Sequence, residues 1–118
     1  LCIWRFVRKI KYFGFGKIES ILQVQAHHKV VNTVDGAGSD GHGYGLAKCT
    51  GGRDGTVALW DPRQKTPLLL YNSLAEVKPD CWSVAFGNAH TAEDRVIASG
   101  YDNGDVKFFD LKTNMLLW

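Results

Sequence analysis

Two stretches of this chain are variations on one another, and their spacing restricts the fold more than any other feature. Thr50-Gly51-Gly52-Arg53-Asp54-Gly55-Thr56-Val57-Ala58-Leu59-Trp60-Asp61 aligns with Ser99-Gly100-Tyr101-Asp102-Asn103-Gly104-Asp105-Val106-Lys107-Phe108-Phe109-Asp110 at a constant offset of 49 residues. Each copy leaves one strand and turns through Asp-Gly or Asn-Gly, a pair suited to positive φ. It then enters a second strand that ends in an aromatic residue plus Asp. Each copy is therefore a hairpin. A further strand is predicted upstream, over 30–34 and 81–86, and a fourth downstream, near 68–71 and 115–118, where apolar and β-branched residues sit between turn formers.

Four short strands per unit, repeated, are the sequence mark of a propeller blade, a unit that buries its faces only against its neighbours. The predicted fold is all-β, built of antiparallel four-stranded blades. Residues 26–72 form a first blade and 73–118 a second, degenerate one. Residues 1–25 are expected to hold the trailing strand of a preceding blade, then a variable loop and outer strand. Leu1-Cys2-Ile3-Trp4 echoes the end of a third strand, although Arg5 stands where Asp is expected, and the start on a strand without methionine suggests a fragment. Between Arg5 and Gln25, Arg8, Lys9, Lys11 and Lys17 interleave with Phe6, Tyr12, Phe13 and Phe15. Such a run invites a nucleic-acid or membrane-surface reading. An outer strand with a solvated face is preferred, because no helical stripe or wider charge excess accompanies it.

Charge argues the same way. Fourteen basic against 12 acidic residues leave +2 among 118, too little for a surface that must neutralise several phosphates. Cys2, Cys49 and Cys81 are odd in number and far apart, giving neither a disulfide framework nor a paired-thiol metal site, so reduced, buried thiols are expected. No apolar run reaches the roughly 18 residues of a membrane helix, nor does the start of the chain have signal-peptide order. The expected compartment is the cytoplasm.

Trp60-Asp61 closing a third strand, Asp54 in the turn before it and Ala26-His27 where Gly-His is usual resemble the WD-repeat family. Further strings narrow the likeness to WD-repeat proteins of axonemal dynein assembly: Val31-Asn32-Thr33-Val34-Asp35-Gly36, Trp60-Asp61-Pro62-Arg63-Gln64-Lys65, Asp80-Cys81-Trp82-Ser83-Val84-Ala85-Phe86-Gly87-Asn88-Ala89 and Gly100-Tyr101-Asp102-Asn103-Gly104-Asp105. The resemblance covers about residues 26–118. It implies a cytosolic, non-catalytic scaffold with protein partners only: a prefoldin-like co-chaperone complex with AAA+ ATPases and the dynein assembly machinery.

His27, Thr50, Asp54 and Trp60 match the four positions that this family links inside a blade. The Trp60 indole can donate to the Thr50 hydroxyl, Thr50 to His27, and His27 to Asp54, so few buried polar groups go unmatched. Hydroxyl, imidazole and carboxylate also make up a catalytic triad. An oxygen that accepts an indole N–H between packed strands is a poor nucleophile, and no oxyanion donor is in reach. A structural staple is expected. In the second blade only Ser99 matches, since Asn103 and Phe109 replace the Asp and Trp, and no His precedes Cys81. That blade must rely on packing.

Gly36-Ala37-Gly38-Ser39-Asp40-Gly41 fits G-x-G-x-x-G, but His42-Gly43-Tyr44-Gly45 cannot start the helix a dinucleotide site needs. A loop between the first and second strands is expected. Asp35, Asp40 and His42 lack a rigid frame for a metal, so no metal or other cofactor is expected. The family carry-over puts partner binding on the narrow propeller face, at Arg53 and Asp102 with Tyr101, Asp80 and Trp82 beside them. An alternative function rests on Trp60-Asp61-Pro62-Arg63, which looks like the motif by which substrate receptors dock, through Asp61 and Arg63, on a cullin-RING ubiquitin ligase adaptor.

Overall fold

The computed structural model describes residues 2–6, 9–13, 20–37, 47–61, 64–72, 77–88 and 94–118, with only the backbone described over 2–24. Within them lie eleven strands: β1 Cys2–Phe6, β2 Lys9–Phe13, β3 Ser20–Gln25, β4 Val31–Gly36, β5 Lys48–Gly52, β6 Val57–Trp60, β7 Leu69–Tyr71, β8 Cys81–Gly87, β9 Val96–Tyr101, β10 Val106–Asp110 and β11 Met115–Leu116. They make three antiparallel sheets, ordered β1-β2-β3, β4-β5-β6-β7 and β8-β9-β10-β11. The two four-stranded sheets are the blades, each a meander whose first strand is an edge strand; these two, β4 and β8, lie against each other and are called the inner strands. The segment ahead of them holds three strands rather than a trailing strand and one outer strand, and β1 runs beside β4.

Hairpin chemistry sets each blade. Gly55 and Gly104 take positive φ, at 75° and 89°. The residue before each glycine does not, so these turns are not the pair of left-handed residues that Asp-Gly alone suggests. Gly52 and Tyr101 instead close the loops by donating to Thr56 O and Asp105 O, at 3.1 and 2.9 Å. A three-residue loop ending in a left-handed glycine is the result. The inner strands add one feature. β4 bulges between Val31 and Thr33, and β8 bulges at the matching place, between Cys81 and Ser83. Val31, opposite Gly52, thus corresponds to Cys81, opposite Tyr101, and the inner strands repeat at one residue more than the hairpins do.

The main apolar core lies between blades. Cys49, Val57 and Leu59 of the first meet Cys81, Val84, Ile97, Tyr101 and Phe109 of the second. Tyr71 on β7 stacks on Phe109 on β10, with ring centroids 4.1 Å apart. Burial of each large aliphatic or phenyl side chain there contributes about 1.5–3 kcal/mol, so the joint between blades is a main source of stability among the described residues.

Candidate functional site

β5, β6, the residues ahead of β4 and the β5–β6 turn place the four linked residues of the first blade. Thr50 is fully buried in the middle of β5, Trp60 closes β6 at 1% exposure, and His27 is 3% exposed. Trp60 Nε1 donates to Thr50 Oγ1 at 2.8 Å, and His27 Nε2 lies 2.8 Å from the same oxygen. His27 Nδ1 lies 3.0 Å from Asp54 Oδ1. Because Thr50 Oγ1 accepts from the indole, its own proton is available to His27 Nε2, which leaves the Nδ1 proton for Asp54.

Asp54 does more than receive His27. Its carboxylate also accepts the backbone N–H of Thr56 and of His28, both at 3.0 Å. Burial works to raise its pKa, but the hydrogen bond and charge of His27 and the two amide donors outweigh it, leaving Asp54 at about 2. One carboxylate therefore ties the tight turn to the strand lead-in. An open groove of about 430 Å³ borders the network and is lined in part by His27, Asp54, Trp60, Leu70 and Lys78, but not by Thr50. A substrate in that groove would not meet the hydroxyl. Thr50, His27, Asp54 and Trp60 link β5, β6, the turn between them and the lead-in to β4.

In the second blade the same stations hold different bonds. Ser99 Oγ donates to Lys107 O at 3.4 Å, and Asn103 Oδ1 accepts the N–H of Asp105 at 3.0 Å. The turn keeps a local Asx bond while the long-range network is replaced by packing of Ile97 and Phe109.

The joint between blades contains polar contacts that sequence reasoning missed. Asn32 Nδ2 donates to Cys81 O at 3.0 Å, Thr33 Oγ1 accepts from Val84 N at 3.4 Å, and Asp35 Oδ2 accepts from Phe86 N at 2.8 Å. Val84 and Phe86 N–H groups lie on the edge of β8 away from β9, and side chains of β4 satisfy them. The polar residues interspersed in Val31-Asn32-Thr33-Val34-Asp35 were the available signal. Asp35, one of three metal candidates, is thus committed to this bond; Asp40 and His42 lie outside the described residues, as does most of the glycine-rich loop. The base of that loop is closed by Ala37 N donating to Ala47 O at 3.1 Å.

Of the five residues expected on the narrow face, three converge. Arg53 Nε donates to Asp80 Oδ2 at 3.1 Å, and Asp102 N donates to Asp80 O at 3.0 Å. Arg53 keeps 56% of its side chain exposed, and Asp102 is exposed. Tyr101, next to Asp102 in the chain, is buried at 7% exposure, with Lys107 Nζ 4.9 Å from its ring centroid. Trp82 is 57% exposed on β8. Asp61 is half-buried next to the enclosed Trp60, and Arg63 falls outside the described residues. The thiols of Cys49 and Cys81 are buried and free; burial pushes both pKa values up, that of Cys81 to about 12.

No family model matches the chain. It is similar to proteins named dynein axonemal assembly factor 10, at 50% identity over 101 residues in Bos taurus, 48% over 101 in Homo sapiens and 44% over 105 in Chlamydomonas reinhardtii. Those alignments take in 83–85% of this chain and 28–29% of the relatives, so the chain spans well under a third of their length. Its fold matches a chain in the crystal structure of the mitotic checkpoint complex at a TM-score of 0.73 and 18% identity, over 93% of this chain and 31% of that one. The likeness fits blades of a propeller.

Proposed function

We propose that this chain is part of a non-catalytic scaffold that binds proteins during assembly of axonemal dynein. The observation that carries the reading is the 50% identity to an assembly factor over 101 residues, a stretch that takes in most of both blades. The site chemistry supports it, since the hydroxyl–imidazole–carboxylate group of the first blade lies inside that blade, with Thr50 Oγ1 held by both Trp60 and His27. The partners are a co-chaperone complex with AAA+ ATPases and the dynein assembly machinery, met in the cytoplasm. Among the described residues no helix is long and apolar enough to cross a membrane.

Docking centres on the turn end of the blades, where the half-free Arg53 guanidinium stands beside Asp80 and the exposed Asp102. Arg is favoured at interfaces because it joins a broad planar surface to directed donors. Affinity purification of the full-length protein, with identification of the chains that accompany it, tests the proposal. AAA+ co-chaperone subunits are expected. Recovery of a cullin-RING adaptor in their place would replace this reading with ligase docking through Asp61 and Arg63.

A further inference from the structure

Of the five asparagines in the chain, Asn103 alone is followed by glycine; Thr33, Ser73, Ala89 and Met115 follow the others. That pairing has a chemistry of its own. The backbone nitrogen of the following residue can attack the asparagine side-chain carbonyl, and a glycine nitrogen is the least hindered because no Cβ stands beside it. The new C–N bond closes a five-membered succinimide, and the side-chain nitrogen leaves as ammonia, taking the glycine N–H proton with it. Water then opens the ring at either carbonyl. The product is aspartate or, with the main chain rerouted through the side chain, isoaspartate, and water is the only co-reactant.

In the folded turn both reacting groups are engaged elsewhere. Gly104 N–H donates to Tyr101 O at 3.1 Å, so the nitrogen that must give up its proton is held away from the side chain. Asn103 Oδ1 accepts the N–H of Asp105 at 3.0 Å, and Asn103 Nδ2 donates to Asp105 Oδ2 at 2.9 Å. Little packs on the pair: Asn103, Gly104, Asp105 and Val106 are exposed, and a Cβ on Gly104 would meet no atom within 4 Å among the described residues. The matching turn of the first blade is closed harder. Gly55 is buried, with Pro79 O 2.8 Å from where its Cβ would stand. Asp54 accepts from His27, His28 and Thr56 and is ionised at neutral pH, and a carboxylate is a poor target for an attacking nitrogen.

We infer that Asn103 is a self-modification site, at which the chain deamidates through attack by the Gly104 nitrogen, and that the hydrogen bonds of the turn set the rate. The reaction runs when the turn opens and stalls while it is closed. Its product bears on the joint between blades. Aspartate at position 103 loses the donor to Asp105 Oδ2 and adds a carboxylate to a turn that already exposes Asp102 and Asp105. Isoaspartate also lengthens the main chain between Tyr101 and Asp105, whose 2.9 Å N–H···O bond closes the loop. Tyr101 pairs with Cys81 and belongs to the apolar core that both blades share, so slow chemistry at an exposed turn reaches that core. The inference rests on the turn and not on the dynein assembly reading, and the two fail in different assays.

Ageing the full-length protein in warm neutral buffer, folded or in guanidinium chloride, tests the site, with mass spectrometry of each asparagine peptide and electron-transfer fragmentation to tell aspartate from isoaspartate. In the folded protein Asn103 should convert about ten-fold or more faster than Asn32, Asn72, Asn88 or Asn114, because only its neighbour lacks a Cβ. It should convert about ten-fold more slowly than in guanidinium, the margin that one or two net hydrogen bonds supply. Asp105→Ala, which frees Asn103 Nδ2, should raise the folded rate about three-fold or more and leave the unfolded rate unchanged. Gly104→Ala, read in guanidinium so that strain at its φ of 89° does not enter, should slow the reaction about ten-fold or more. If Asp105→Ala does not fold, the ratio of folded to unfolded rates in the wild-type protein decides. Asn103 reacting no faster than the other asparagines, or equally fast folded and unfolded, overturns the inference. So does a folded Asp105→Ala rate equal to wild type, or one raised as much in guanidinium.

Discussion

Gly51 on β5 is the seat of the Cys81 thiol: a β-carbon there would stand 2.5 Å from Cys81 Sγ and 3.0 Å from Val84 Cγ1. Two blades approach to backbone distance at this point because one has no side chain and the other a small one. Gly51→Ala should destabilise the protein by about 1–3 kcal/mol through overpacking. Cys81→Ala in the same chain should recover part of that loss, since the closest atom is then gone. A double-mutant cycle from thermal melts measures the coupling; strictly additive losses would show that the two residues do not meet.

The staple of the first blade is open to simpler substitutions. Trp60→Phe removes the indole donor to Thr50, and His27→Ala leaves Thr50 and Asp54 without their shared partner. Each should cost about 1–3 kcal/mol, the penalty for an unmatched buried polar group. Phe109→Trp should bring no comparable gain, because in the second blade no histidine stands ahead of Cys81 to complete the chain. Melts of the full-length His27→Ala protein equal to wild type would remove the staple from the explanation of this blade's stability.

How far the sequence could be read follows from the range of each interaction. The hairpin turns were legible because Asp54-Gly55 and Asn103-Gly104 announce themselves within four residues, and His27, Thr50, Asp54 and Trp60 were named together because the family resemblance assigns them stations within one repeat. The blade joint was not. The bulge after Val31, matched after Cys81, moves the inner strand by one residue relative to the hairpin, and only paired registers display it. Asp35 had no frame visible in the sequence because its partner, the Phe86 amide, lies 51 residues away in another blade. Tyr101 invites an interface reading by its type, yet its place opposite Cys81 puts it among the apolar residues shared by both sheets.

Asp54 makes part of the stability depend on acid. Its folded pKa, about 2, lies below the ordinary 3.8, so the folded carboxylate binds a proton less readily than the unfolded one. The contribution is fully present above about pH 4 and is lost as pH falls through about 2. Between those values Tm should fall less steeply in Asp54→Asn than in wild type, although the variant starts lower. Parallel acid limbs for the two proteins would mean that Asp54 is not held down by its His27, Thr56 and His28 donors.

Partner capture should separate from stability at Arg53. The guanidinium is more than half exposed and its contact with Asp80 is a surface ion pair, a class worth about 0–1 kcal/mol. Arg53→Glu should therefore keep Tm within a few degrees of wild type and yet weaken co-chaperone capture, because an interface charge is reversed. Loss of capture could still come from repulsion between the introduced carboxylate and Asp80, which would shift the turn. Adding Asp80→Lys restores an ion pair of opposite polarity: if the turn alone mattered, capture should return. If partners read the Arg53 charge itself, the double variant should regain any lost stability and remain deficient in pull-downs of the full-length protein. Unchanged co-chaperone recovery by Arg53→Glu, together with loss of a ubiquitin-ligase adaptor by Arg63→Glu, would transfer the binding function to the Trp60–Arg63 motif.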